Sequence, residues 1–194
     1  MFMGRPGAGK GTQAQLLMSS LKKKDSQHNI LYIEMGAILR KFNEGPSYTA
    51  SLSKRVMDAG GLLPELMPVY IWGDELVKNY TGSEHVIFDG TPRKLLEAQI
   101  IESIFPFFGL IPNVIYLDVH HEESKKRLIE RGKTSGRKDD NETAIEKRKL
   151  AYEKEIQPSI EYLKKHPEMR FHDIDGIGTI DEVHARIVKA LGLE

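Results

Sequence analysis

Gly4-Arg5-Pro6-Gly7-Ala8-Gly9-Lys10-Gly11-Thr12 is the stretch on which the fold class turns. A glycine, four intervening residues, a second glycine and a lysine make up the phosphate-loop pattern. Small residues let successive backbone N–H groups curl around an anion, and Lys10 reaches the β- and γ-phosphates of a nucleotide. Thr12 to Leu17 reads as a helix start, and the helix N-terminus adds its positive dipole end to the same anion. The competing reading, a plain Gly-rich turn between strand and helix, leaves the lysine and its helical context without a purpose. Gly7, Ala8, Gly9, Lys10, Gly11 and Thr12 are therefore the expected ligands of a nucleotide's phosphates.

Outward from this loop, short apolar runs alternate with helical patterns. Ile30–Ile33, Val86–Phe88, Val114–Val119 and Met169–Ile174 read as strands,. Helices are expected over Lys10–Leu21, Ser47–Ala59, Glu65–Tyr80, Lys94–Phe105, Glu122–Arg131, Asn141–Lys165 and Thr179–Leu191. The alternation predicts an α/β domain with a parallel sheet covered on both faces. Only Met1, Phe2 and Met3 precede the loop, fewer than the five or six residues of a typical strand. Either this strand is curtailed or its true start lies upstream. Two regions break the alternation: helical material within 36–63, and a short polar loop from Arg131 to Asn141. Both are candidates for parts that close over substrates.

Bulk composition narrows the function classes. The 194 residues suffice for one domain with a sizeable core,. Lys plus Arg number 28 and so do Asp plus Glu, so the formal net charge is zero. No global basic field points to nucleic acid. Cysteine is absent, which removes disulfides and Cys-based zinc sites,. The apolar run from Ile104 to Leu117 is interrupted by Pro106, Gly109, Pro112 and Asn113 and is too short to span a bilayer. With the loop so near Met1 no leader is expected, and a cytoplasmic location is expected.

Phe88-Asp89-Gly90-Thr91-Pro92-Arg93 follows a strand candidate. A carboxylate at a strand's C-terminal end lies beside the phosphate loop in such sheets, so Asp89 can hold magnesium through waters. Arg93 offers a bidentate fork to a phosphate. A simple turn is the alternative, since Asp-Gly and Pro are turn formers. Arg127 and Arg131 share a helix face, Arg137 sits in the polar loop, and Arg148 lies on the following helix. Singly each reads as a solvated arginine. Together they could supply the positive charge that phosphoryl transfer demands.

The Gly-Lys-Gly-Thr-Gln ending of the loop, the Asp-Gly-x-Pro-Arg run and the Arg131–Asn141 segment occur in the order found in the adenylate kinase family of nucleoside monophosphate kinases, which the chain resembles over nearly its whole length. The resemblance implies a P-loop NTPase fold with a parallel five-stranded sheet flanked by helices. It implies a single domain over 1–194, with a helical acceptor arm near 36–63 and a short lid near 131–141. The implied reaction is reversible, Mg-dependent transfer of the ATP γ-phosphoryl group to a nucleoside monophosphate. By resemblance Lys10, Arg93, Arg131, Arg137 and Arg148 clamp the reacting phosphates, while Arg127 lies against the ATP adenine and Gly178 lets backbone approach it. Glu34-Met35-Gly36-Ala37-Ile38-Leu39-Arg40 matches the family's acceptor helix, which gives Gly36 and Arg40 to the acceptor. Asp58–Pro64 matches the arm whose backbone holds the base, adding Leu63; Gly90 joins through the Asp89 turn. The short, cysteine-free lid implies no zinc, and the family default is a monomer.

Two departures bear on the acceptor base. Met35 replaces a threonine that touches it in adenylate kinases. Glu97 stands where those enzymes place a glutamine that reads adenine, and an ionised carboxylate can only accept hydrogen bonds. Glu97 is thus expected either to shift acceptor choice away from strict AMP or to point to solvent on its helix. Two other functions remain compatible: another P-loop small-molecule kinase, and a nucleotide-binding protein with altered catalysis.

Overall fold

A computed structural model describes residues 1–135, 137 and 139–194. In chain order the elements are β1 (Phe2–Met3), α1 (Lys10–Lys24), β2 (Ile30–Glu34), α2 (Met35–Phe42), α3 (Tyr48–Asp58), α4 (Leu66–Asn79) and β3 (His85–Asp89). They continue with α5 (Leu95–Phe108), β4 (Asn113–Asp118), α6 (His121–Ser135), α7 (Glu142–Ala151), a π-helical turn (Tyr152–Ile156), α8 (Gln157–Lys165), β5 (Arg170–Asp175) and α9 (Ile180–Ala190). The five strands form one sheet in the order β2-β3-β1-β4-β5, and every pairing is parallel. β1 is only two residues long yet central: Phe2 pairs with Asp89 on one side and Ile115 on the other. The short strand is braced by its flanks, with the Met1 amine donating to the Asn113 carbonyl at 2.7 Å.

Strand side chains divide the core by their period of two. Met1, Met3, Ile33, Phe88 and Val114 face one apolar layer with Trp72, Leu76, Ile101 and Leu163 from the helices. Phe2, Ile87, Ile115 and Leu117 face the other, with Ala14 and Leu17 of α1 and Val183 and Ile187 of α9. Helix starts follow capping chemistry. Ser47 accepts from the Ala50 N–H, Asn141 from the Ala144 N–H, and Thr179 forms a capping box with Glu182,. Among the described residues no helix is long and apolar enough to cross a membrane.

Two expectations need correction. The lid region does not begin as a loop: α6 runs on through Ser135. Gly132 permits this, because a Cβ there would meet the Asp140 carbonyl oxygen at 2.9 Å, so the returning segment packs directly on the helix backbone. Gly136 and Lys138 of the expected lid lie outside the described residues. The helix expected over Asn141–Lys165 is interrupted. Pro158 lies in the first turn of α8 and has no N–H to donate,. The preceding turn widens, and the Gln157 N–H bonds to the Tyr152 carbonyl, five residues back,.

Candidate active site

The C-terminal ends of β1, β2 and β3 converge where the crossovers leave opposite faces of the sheet, the position at which open parallel sheets bind ligands,. A cleft of about 810 Å³ opens there. The phosphate loop forms its floor. Gly7 has φ +83°, and a Cβ on it would lie 2.6 Å from the Ser124 carbonyl oxygen and 2.9 Å from Leu128 Cγ. Gly7→Ala is expected to cost about 3 kcal/mol from left-handed strain and overpacking, read as a lower urea midpoint; an unchanged midpoint would contradict this loop geometry. Lys10 Nζ donates to the carbonyls of Gly4 (2.9 Å) and Arg5 (3.0 Å), which folds it back over the loop. Burial lowers its pKa to about 8, against the raising influence of Asp89.

Gly11 occupies the place where a generic phosphate loop carries Ser or Thr. Its missing Cβ would sit 3.3 Å from Asp89 Oδ2, so the carboxylate packs against the start of α1. Asp89 is buried, and its Oδ2 accepts from the Tyr32 hydroxyl at 3.1 Å. Burial, then the Asp89 charge, pushes the Tyr32 phenol well above its usual value, so it remains a donor. A hard carboxylate oxygen beside a phosphate-binding backbone suits Mg²⁺. Sequence reasoning missed Tyr32. Its signal was positional: it precedes Ile33 on β2, and with Ile33 in one apolar layer Tyr32 turns to the other, on the α1 side of the sheet.

Cations reach the cleft from three further stretches. Arg93 follows the cis Thr91–Pro92 bond, and its Nε donates to the Gly90 carbonyl at 3.0 Å. Arg40 of α2 lies at the other wall, 3.3 Å from Glu34. Asp140, whose side chain has no exposed surface, grips Arg131 through two bonds of 2.6 and 2.7 Å and Arg148 at 3.1 Å. Burial alone would raise the Asp140 pKa, but hydrogen bonding and charge from Arg131, with charge from Arg148, bring it below the usual value. Arg148 also meets Asp139 at 3.0 Å. Burial depresses the Arg137 pKa, and the charges of Arg131 and Arg40 add to the effect. Arg137 lines the same cleft. Arg127 is held by Glu123 (2.8 Å) and the Gly176 carbonyl (3.2 Å), near the Gly178 turn.

Of the residues expected from sequence, Gly7 through Thr12, Gly36, Arg40, Asp89, Gly90, Arg93, Arg127, Arg131, Arg137, Arg148 and Gly178 all line this one cleft. Leu63 and Glu97 do not. Leu63 packs into the core under the arm, where Gly60, Gly61 and Leu62 present the lining instead. Glu97 is not in solvent either, being 2% exposed. Its Oε2 accepts from the Thr91 hydroxyl (3.2 Å) and the Arg93 N–H (3.0 Å), so the carboxylate is the inner brace of the turn that presents Arg93. Burial raises its pKa, opposed by those bonds and by the Arg93 charge.

Behind the lid arginines, the π-helical turn puts Tyr152 under the loop. The Arg5 guanidinium lies 4.5 Å from its ring centroid, and its hydroxyl meets that of Tyr116 at 3.0 Å.

The family model described as adenylate kinase matches residues 2–168. The chain belongs to the adenylate kinase family. Among similar proteins named adenylate kinase, that of Flavobacterium johnsoniae is 35% identical over 98% of this chain and 96% of its own length. Those of Phocaeicola vulgatus and Thermus thermophilus are 34% and 33% identical, over 98% and 100% of this chain and 96% of their own lengths. The five-stranded parallel sheet is the expected fold. As a member of this family the chain is a phosphotransferase of the nucleoside monophosphate kinase class, a class that works with ATP and Mg²⁺.

Proposed function

We propose that this chain transfers the ATP γ-phosphoryl group reversibly to AMP, acting as a monomer, with the residue roles that follow. The observation that carries the proposal is a single cleft lined by the loop with Lys10, by Arg40 and Arg93, and by Arg131, Arg137 and Arg148. The loop backbone and Lys10 hold the donor's β- and γ-phosphates, and Arg127 and Gly178 border its adenine. Arg40 and Arg93 hold the acceptor phosphate, and the backbone of Gly36 and Gly60–Leu62 borders its base. Asp89 would hold Mg²⁺ through water, with Tyr32 fixing its carboxylate. The metal, when bound, neutralises charge on the donor phosphates.

An oxygen of the AMP phosphate forms a bond to the γ-phosphorus as the bond to the bridging oxygen breaks, and ADP leaves with that electron pair. The attacking oxygen is already anionic, so no general base is required. Positioning and charge stabilisation supply the catalysis. Glu97 acts as a positioning residue for Arg93. A coupled assay with ATP and AMP, GMP, CMP and UMP tests the assignment. AMP is expected to rank first for both the wild type and Glu97→Gln. A change of rank on that substitution would place Glu97 at the base. No transfer to any monophosphate would leave a binding protein.

A further inference from the structure

At the opposite end of the sheet from the cleft, Asp25, His28 and His85 converge. Asp25 caps the C-terminus of α1, His28 lies in the connection to β2, and His85 opens β3 in register with Ile30. His28 Nδ1 lies 2.8 Å from both carboxylate oxygens of Asp25, and His85 Nε2 lies 2.9 Å from Oδ2. One donor atom from each of the three lies within 4.8 Å of the other two. A tetrahedral ion with bonds of about 2.0–2.1 Å needs donors about 3.3 Å apart, so the two histidines, 2.8–2.9 Å from Asp25, have to open by about half an ångström from its carboxylate, a small movement for partly exposed side chains. Asp25 also places its charge at the negative end of the α1 dipole, where a cation is favoured.

We propose that this cluster is a binding site for a divalent transition ion of the Zn²⁺ class. Two imidazole nitrogens and one carboxylate oxygen are a borderline donor set, suited to Zn²⁺, Co²⁺ or Ni²⁺ and poorly matched to Mg²⁺ or Ca²⁺. The fourth position faces solvent and takes water. The site is structural. Four residue steps along β3, about 13 Å, separate His85 from Asp89, so the ion does not touch the reacting phosphates. It pins the end of the phosphate-loop helix to the first residue of β3 and the approach to β2.

The test uses the full chain after chelator treatment. Co²⁺ titration should give a saturable visible d–d absorption at one equivalent, displaced by Zn²⁺ and not by Mg²⁺. Zn²⁺ at a hundredfold over its Kd should raise the Tm by about 5–10 °C. His28→Gln, His85→Gln and Asp25→Asn should each abolish the absorption and the shift while ATP–AMP turnover stays at the wild-type level. Absence of saturable binding to the wild type overturns the proposal without reference to any variant. Binding that survives all three substitutions overturns it equally, assigning the metal to other histidines.

Discussion

Lys10→Met is expected to lower kcat by at least about 10³-fold, on the scale of removing a cation from a transferring phosphoryl group. The ammonium is folded back on two carbonyls of the loop that wraps the anion, so its charge is already in place before substrate arrives. No neighbouring side chain can substitute, because Arg93 and Arg148 are committed to other walls. Its depressed pKa adds a second signature. In the free enzyme Lys10 loses its proton at about 8 rather than 10.5, so kcat/KM for ATP should fall as pH rises through that value. Stability moves the other way. Between pH 8 and 10.5 the unfolded chain holds the Lys10 proton that the folded chain has released, so stability rises with pH over that window. Lys10→Met should abolish both slopes. Near-normal turnover in the variant would remove the phosphate loop from the mechanism.

Arg137→Ala should be comparably severe, on the order of 10³-fold in kcat with little change in the KM for ATP. Arg131 and Arg148 are held by Asp140. Arg137 lines the same cleft, and we expect it to meet the charge of the migrating group. Its removal relieves repulsion, so the Tm should hold or rise while turnover collapses. A stopped-assay kcat close to wild type would exclude Arg137 from the transition state.

The parts of the site legible in the sequence were those whose chemistry is local. The loop, the Asp89–Arg93 turn and the lid arginines announce themselves through residue type and spacing, and the strands through apolar runs whose ends fall within one residue of those observed. The parts that were not legible depend on what lies across the fold. Glu97 follows Arg93 by four positions, which says nothing of whether its carboxylate turns to a base, to water or back to the Arg93 N–H. Tyr32 carries meaning only once β2 is beside β3 and the Asp89 carboxylate is 3.1 Å away. The lid helix runs on because Gly132 is covered by Asp140, a contact between segments and not between neighbours. The widened turn at 152–156 follows from Pro158, but Asn141–Lys165 is otherwise so rich in helix formers that nothing else signals the interruption.

That turn fixes the phase of everything upstream of it. It carries one residue more than an α-helical turn of the same path, so winding the same residues as a regular helix would rotate the preceding segment by about 100°. Arg148 would swing off the cleft, and Tyr152 would leave its place beneath Arg5. The wide turn ahead of Pro158 is thereby what aims Arg148 into the cleft, in a helix that looks from outside like an ordinary spacer.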